Sequence, residues 1–190
     1  MKSVLISIQP KWCELIASGK KTIEIRKTKP KLDVPFKVYI YESSGNQRVG
    51  NENFNVILKG KGRKKVIGEF VCDNLEMLFD TNGNSANYMT EILPDILKRT
   101  ALTYKEFQVY VNGRASKNSI YGWHISNLKI YDKPKELSEF YRECEQPDCD
   151  DCPYLHFENT PNSYEGWCEY DEKIPIKRPP QSWCYVESGE

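Results

Sequence analysis

The sequence predicts a mixed α+β fold, in which strands near both ends of the chain enclose a helical insert. Apolar residues alternate with polar ones in the early and late segments, as they do in half-buried strands. Between those segments, a capping-box spacing marks the start of a helix. With 190 residues the chain is long enough to bury a core. We expect one domain over residues 1–135 and an extension, residues 136–190, packed on it.

The first strand is predicted over residues 2–9, where every second residue from Val4 is apolar. Pro10 suits the first turn of the helix that follows, because a first-turn residue needs no amide hydrogen. That helix carries Trp12 and ends at Gly19.

A charged strand is predicted over residues 22–26. Alternation places its two isoleucines on the core side and Thr22, Glu24 and Arg26 on the other face. Periodicity alone favours a solvated polar face with a weak Glu–Arg pair. The functional alternative is an acid, a base and a hydroxyl presented side by side.

The remaining elements follow from the same patterns. Residues 27–35 contain two prolines and are predicted to be a connection, and residues 43–55 are predicted to be a polar loop. Strands are predicted over residues 36–42, 66–78 and 119–131, and helices over 85–97, 103–112 and 135–144.

Residues 59–65 form a basic segment of five Lys/Arg residues interleaved with two glycines, among them Lys61, Arg63 and Lys64. The segment lacks the spacing of a Walker phosphate loop. One interpretation is an exposed hairpin end whose lysines discourage aggregation. The other is a flexible basic finger that lies on a nucleic-acid backbone.

Charge is distributed unevenly along a chain that is neutral in total. Residues 1–70 hold 15 Lys/Arg and 6 Asp/Glu, whereas residues 71–190 hold 12 and 21. A basic half attracts phosphate backbones, because each neutralised phosphate releases a counterion. The acidic half would cancel this field if it folded back over the basic half.

No segment is apolar for long enough to span a membrane, and the apolar run at residues 4–8 is too short for a signal peptide. We therefore expect a cytoplasmic protein without a membrane partner. In a reducing compartment, its seven cysteines indicate thiols or a metal site rather than disulfides.

Five of those cysteines lie in the acidic, aromatic tail, and Cys149 and Cys152 have the C-x2-C spacing of a zinc knuckle. We predict a structural zinc ion held by four of the five, which are Cys144, Cys149, Cys152, Cys168 and Cys184. The first three also have the spacing of a plant-type iron–sulfur site. Zinc is favoured over the cluster because nothing else in the sequence indicates a ferredoxin fold.

The end of the tail, residues 178–186, begins with two prolines that stiffen it into an extended conformer. One interpretation is that it packs across the domain and brings its cysteine to the metal. The other is that Arg178, Gln181 or Trp183 roofs a ligand pocket, where an aromatic ring can stack on a base.

The opening of the chain resembles an ASCH domain. The resemblance rests on Trp12 in the helix, Gly19 at its end and the Lys-Thr-Ile-Glu-Ile-Arg strand of residues 21–26. Residues 65–72 and 121–126 fit later strands of that family. The resemblance covers roughly the first two thirds of the chain and implies a PUA-like mixed β-barrel.

The resemblance implies a charged cleft lined by Lys21, Thr22, Glu24 and Arg26, with Glu69 opposite. Such a cleft suits RNA or a modified nucleobase. Arginine can fork onto phosphate or a guanine edge, and a carboxylate can accept from the amine of cytosine.

Catalysis is the alternative that the resemblance leaves open. One ASCH branch hydrolyses N4-acetylcytidine with a lysine, a threonine nucleophile and a glutamate. Lys21 matches the lysine of that branch and Glu69 matches its glutamate. The threonine position two residues before the arginine is Glu24 here. A ribonuclease using Lys21, Glu24 and Glu69 is a further alternative. Another is a protein–protein interaction module with the tail as its working surface.

Overall fold

The computed structural model describes residues 2–51, 54–79, 93–112, 119–143, 155–157, 166–168 and 173–188. The described residues include three helices, α1 (Pro10–Ala17), α2 (Leu93–Thr100) and α3 (Tyr104–Asn112), and a short 3-10 helix that spans Leu137–Glu139. The described strands are β1 (Ser3–Ile8), β2 (Ile23–Arg26), β3 (Phe36–Glu42), β4 (Gln47–Asn51), β5 (Phe54–Leu58), β6 (Val66–Cys72), β7 (Leu75–Phe79), β8 (Ile120–His124), β9 (Ser126–Lys135), β10 (Phe140–Glu143), β11 (Leu155–Phe157), β12 (Gly166–Cys168), β13 (Lys173–Pro175) and β14 (Trp183–Ser188).

A seven-stranded sheet forms the body of the fold, in the order β13-β10-β14-β1-β3-β6-β9. Strands β1 and β3 are parallel, whereas β14 pairs antiparallel with the other edge of β1. A parallel pair needs a crossover connection, which α1 and β2 provide. The mixed α+β class predicted from the sequence is confirmed.

A three-stranded sheet, in the order β2-β8-β7, packs beside the large one. The isoleucines of β2 lie in an apolar cluster with α2 and α3, and Trp123 of β8 is fully buried in the cluster between the sheets. Among the described strands, backbone pairing does not join the two sheets into the closed barrel expected for a PUA-like fold.

Two predicted elements are wrong. Residues 43–55, predicted to be a loop, contain most of the hairpin β4–β5, in which Val49 is paired with Val56. Hairpin pairing uses main-chain groups that polar residues also carry, so composition alone misled the prediction. The helix predicted over residues 135–144 is not formed in its described part, residues 135–143, which holds the end of β9, the 3-10 turn and β10, because Phe140 is fully buried against Tyr39.

Other predictions fall partly outside the described residues. The helix predicted over residues 85–97 overlaps α2, but residues 85–92 are not described. Strands β10, β13 and β14 belong to the predicted extension, residues 136–190, yet all three pair in the large sheet. The boundary at residue 135 stays a prediction. Within the described residues, no helix is long and apolar enough to cross a membrane.

Candidate functional site

A cavity of about 640 Å³ lies where β1 and β2 end. Helices α1 and α3 form two of its walls, and the segment from Pro179 to Gln181 closes a third side. Polar and charged residues share the lining with apolar ones. The lining residues that form the candidate site are Ser7, Trp12, Lys21, Glu24, Arg26, Lys105, Glu106, Tyr110 and Gln181.

The floor of the cavity is an ion triad of Lys21, Glu24 and Arg26. The Lys21 Nζ lies 3.3 Å from one carboxylate oxygen of Glu24, and the Arg26 Nη2 lies 3.2 Å from the other. Gly19, with a φ of +71°, ends the first helical segment and turns the chain toward β2. The lysine just before the strand and the two charges within it therefore meet on one side of β2.

Lys21 is only 2 % exposed. Its ammonium donates to the carbonyl oxygen of Thr100 at 3.0 Å and lies 5.4 Å from the ring centroid of Trp12. Burial lowers the pKa of Lys21, and the attraction of Glu24 opposes that shift only in part. The contacts with α2, α1 and β2 fix this ammonium at the cavity floor.

Arg26 is tied to its surroundings by backbone and side-chain contacts. Its Nη2 donates to the carbonyl oxygen of Ser7 at 2.7 Å, whereas its buried Nε makes no hydrogen bond to the residues described. The Tyr110 hydroxyl donates to the carbonyl oxygen of Ile25 at 3.1 Å, beside the guanidinium. Burial raises the pKa of Tyr110, so the phenol stays protonated at neutral pH.

Helix α3 contributes the wall that the sequence did not associate with the site. The predicted capping box is confirmed, because the Glu106 amide donates to Thr103 Oγ1 at 3.2 Å and the Thr103 amide donates to Glu106 Oε2 at 2.9 Å. Glu106 also pairs with Lys11 of α1 at 2.6 Å, which joins two walls of the cavity. The capping-box spacing predicted the helix, but no sequence pattern placed it beside β2.

The segment before β14 closes the cavity beside β1. The Ser7 hydroxyl donates to the carbonyl oxygen of Pro180 at 2.6 Å, and the Ser7 amide donates to that of Ser182 at 2.9 Å. Gln181 lines the cavity. Trp183 does not, because its ring packs on Trp123 at a centroid distance of 5.8 Å.

Two other predicted cleft residues lie elsewhere. Thr22 is exposed, and its hydroxyl is directed to the carbonyl oxygen of Arg99 at 3.5 Å rather than into the cavity. Glu69 lies on β6, where it accepts a hydrogen bond from Tyr131 at 2.5 Å and pairs with Lys37 at 3.7 Å. The structure thus brings together Lys21, Glu24 and Arg26 and leaves the other two apart.

The basic segment of residues 59–65 packs along the loop after β3 and does not line the cavity. Gly62 approaches so closely that an added Cβ would meet the Ser43 carbonyl oxygen at 1.7 Å. Arg63 pairs with the buried Glu42 at 3.3 Å, whereas Lys61 and Lys64 are exposed. Ser43, one of the loop residues that this segment covers, lines the cavity.

The predicted metal site lies largely outside the described residues, which exclude Cys144, Cys149 and Cys152 and the side chain of Cys168. Cys184 is described, half-buried in β14 beside an apolar cluster, and burial raises its pKa to about 11. In the part of the chain that the structure describes, no group of acidic, cysteine and histidine side chains is arranged to hold a metal ion.

Comparison with known proteins agrees with this architecture. The family model of the ASCH domain matches residues 6–185, well beyond the first two thirds of the chain. A crystal structure of ASCH from Zymomonas mobilis superposes with a TM-score of 0.50 at 18 % identity, covering 71 % of this chain and 73 % of that one. A mutant form of that protein gives 0.49 at 18 % identity, covering 71 % and 74 %. These likenesses concern the fold alone, and no curated protein matches the chain.

Proposed function

The chain belongs to the ASCH domain family, and from that membership we propose that it binds RNA or a modified nucleobase in the cavity above the ion triad. The observation that carries the proposal is the triad itself, a buried set of two cations and one carboxylate at the floor of a cavity of about 640 Å³. Cavities of this size accommodate small organic ligands.

The charge of the floor favours an acceptor-rich ligand. Both oxygens of Glu24 are engaged, one by Lys21 and the other by Arg26. Glu24 therefore holds the two cations in place rather than contacting a ligand. Two cations against one carboxylate leave the floor positive, and phosphate oxygens or the acceptor edge of a base satisfy such donors.

The walls suit a planar group. Trp12 and Tyr110 lie on different helices, and both line the cavity. Aromatic side chains are the usual stacking partners of unpaired bases. Leu102 and Val109 add apolar surface to the same lining. An unpaired base over an anchoring pair of cations is the ligand that this combination fits best.

Hydrolysis of an N4-acylated cytidine is the second candidate function. The supporting observation is the lowered pKa of Lys21, since a buried lysine with a reduced pKa is suited to proton transfer. The three-residue set expected for that activity is not assembled here. The Thr22 hydroxyl is directed to the carbonyl oxygen of Arg99, and Glu69 lies on β6. The predicted set therefore places no hydroxyl nucleophile in the cavity beside the Lys21 ammonium. A ribonuclease using Glu69 meets the same difficulty.

The tail enters the proposal as a structural element. We retain the zinc site as a proposal that rests on cysteine spacing. Because Cys184 packs against an apolar cluster in β14, the proposed ligands are Cys144, Cys149, Cys152 and Cys168. A cytoplasmic location and a protein partner for the tail likewise stay proposals.

Fluorescence anisotropy with a labelled single-stranded 12-mer RNA at two salt concentrations tests the binding proposal. We expect salt-sensitive binding that weakens at least tenfold in Arg26→Gln, because the substitution removes a charge from the floor. Arg142→Gln, which removes an arginine of β10 that does not line the cavity, is the matched control and should bind as the unmodified chain does. Equal binding by both variants would contradict the proposal. Turnover of N4-acetylcytidine that is lost in Lys21→Met would favour the hydrolase.

A further inference from the structure

The connection between β2 and β3 begins at the wall of the cavity and leads away from it. Its first five residues, 27–31, hold three lysines and no acidic residue, and we call them the basic connection. Arg26 immediately before them lines the cavity. The Lys27 Nζ lies 5.5 Å from the ring centroid of Tyr110, which lines the cavity too.

Aromatic side chains accompany the basic connection along its length. The Lys29 Nζ lies 5.4 Å from the ring centroid of Tyr121. The indole nitrogen of Trp183 donates to Thr28 Oγ1 at 2.9 Å, and the backbone amide of Lys31 donates to the Tyr185 hydroxyl at 2.7 Å. These hydrogen bonds fix the connection against β14, so its charges are held in place rather than carried on a loose loop.

The two outer lysines are open to a ligand. Lys29 and Lys31 are exposed, and neither forms an ion pair with any residue that the structure describes. The half-buried Trp183 lies beside them with its ring packed edge to face on Tyr185. Cations spaced along an extended segment, with aromatic rings beside them, are the combination that binds single-stranded nucleic acid without reading its sequence.

We propose that the basic connection is a backbone track for single-stranded RNA, which carries the strand away from the nucleotide seated in the cavity. This inference rests on the proposed function. Lys29 and Lys31 contact successive phosphates. The base between those two phosphates rests against the edges of the Trp183 and Tyr185 rings. The track gives Trp183 a role outside the cavity, and it predicts tighter binding to a strand than to a single nucleotide.

Binding of a fluorescein-labelled 12-mer RNA, measured across a salt series, tests the track. We expect Lys29→Gln/Lys31→Gln to bind on the order of tenfold more weakly at 0.1 M salt. The slope of log affinity against log salt should become shallower by about 1.4, since each phosphate contact on a single strand contributes about 0.7. The control is Lys129→Gln/Lys133→Gln, which removes two exposed lysines from β9 and should leave both quantities unchanged.

The outcomes separate the track from the cavity. If the track variant binds as tightly as the unmodified chain, with the same salt slope, the track is refuted and cavity binding stands. If track and control variants weaken equally, the effect is one of net charge and the track is also refuted. If the unmodified chain binds no RNA, both proposals fall. If the double variant fails to fold, the single variants Lys29→Gln and Lys31→Gln replace it. Each must keep the melting temperature of the unmodified chain, and each should show half the change in log affinity and in salt slope.

Discussion

Glu24 is the residue that organises the cavity floor. It is 5 % exposed, and its two oxygens separate two cations that would otherwise repel each other. A buried charge is tolerated only when it is paired, because its hydration is lost. The carboxylate at this position is therefore a positioning group for Lys21 and Arg26.

Replacing one member of the triad should destabilise the fold. Glu24→Gln removes the carboxylate and leaves the cations of Lys21 and Arg26 without a counter-charge, so we expect a loss of about 3–5 kcal/mol in the free energy of unfolding. Lys21→Met/Glu24→Gln removes one of the two stranded cations and should recover part of that loss. Urea denaturation measures both changes.

The control for this experiment is Lys105→Met, at an exposed position on the cavity rim, which should change stability by no more than about 0.5 kcal/mol. A double variant no more stable than Glu24→Gln would show that the triad is not held together by its charges.

Only part of the triad was predictable from the sequence. Alternation placed Glu24 and Arg26 on one face of a strand, and the structure confirms their contact. Periodicity alone favoured a solvated face, but α3 and the segment before β14 cover it. The contact between Lys21 and the Thr100 carbonyl joins residues far apart in the chain, and no local pattern encodes such a contact.

Helix α3 depends on a single glutamate at its start. Glu106 caps the helix and pairs with Lys11 of α1, and these contacts, the Lys11 hydrogen bond first, lower the pKa of Glu106 to about 2. A carboxyl whose pKa is lower in the folded state contributes stability above its unfolded pKa. That contribution is lost as the pH falls from about 4.5 toward about 2.

Glu106→Gln should therefore be less stable than the unmodified chain at pH 6, and the difference should shrink steadily between pH 5 and pH 3. Denaturation at a series of pH values measures it. Glu14→Gln, at an exposed position on α1, is the control and should show no such trend. A difference in stability that stays constant over this range would show that the capping contacts do not depend on the charge.

Local sequence rules succeeded for elements with a clear boundary. The capping box located α3, and alternation located β1, β2 and β3. The rules failed where tertiary packing decided the outcome, as at Phe140, which enters β10 to reach Tyr39. Helix α3 is held against β2 by a hydrogen bond from the Tyr110 hydroxyl to the Ile25 carbonyl oxygen, and no periodicity in the sequence predicts that contact.

The tail is integrated into the whole molecule through its last strand. Strand β14 lies between β10 and β1, and Ser7 bonds to the segment just before it. Deleting residues 144–190 would remove two strands, β13 and β14, from the large sheet together with one side of the cavity. Such a deletion cannot separate a tail interaction from cavity binding, so point variants are needed.

Zinc content is the measurement that tests the tail. We expect about one zinc per chain by elemental mass spectrometry, lost in Cys152→Ser and retained in Cys184→Ser. The latter is the matched control, because Cys184 lies among apolar neighbours in β14. Zinc lost equally in both variants would place Cys184 among the ligands, and iron in place of zinc would favour the cluster.

The central claim is that the cavity above the ion triad is where the ligand binds. Photocross-linking of a 12-mer RNA that contains 4-thiouridine, followed by mass spectrometry of the peptides, tests it directly. We expect cross-links in peptides that contain Trp12 or Tyr110, with yields that fall in Arg26→Gln. Cross-links confined to residues 144–170, with none from the cavity walls, would contradict it.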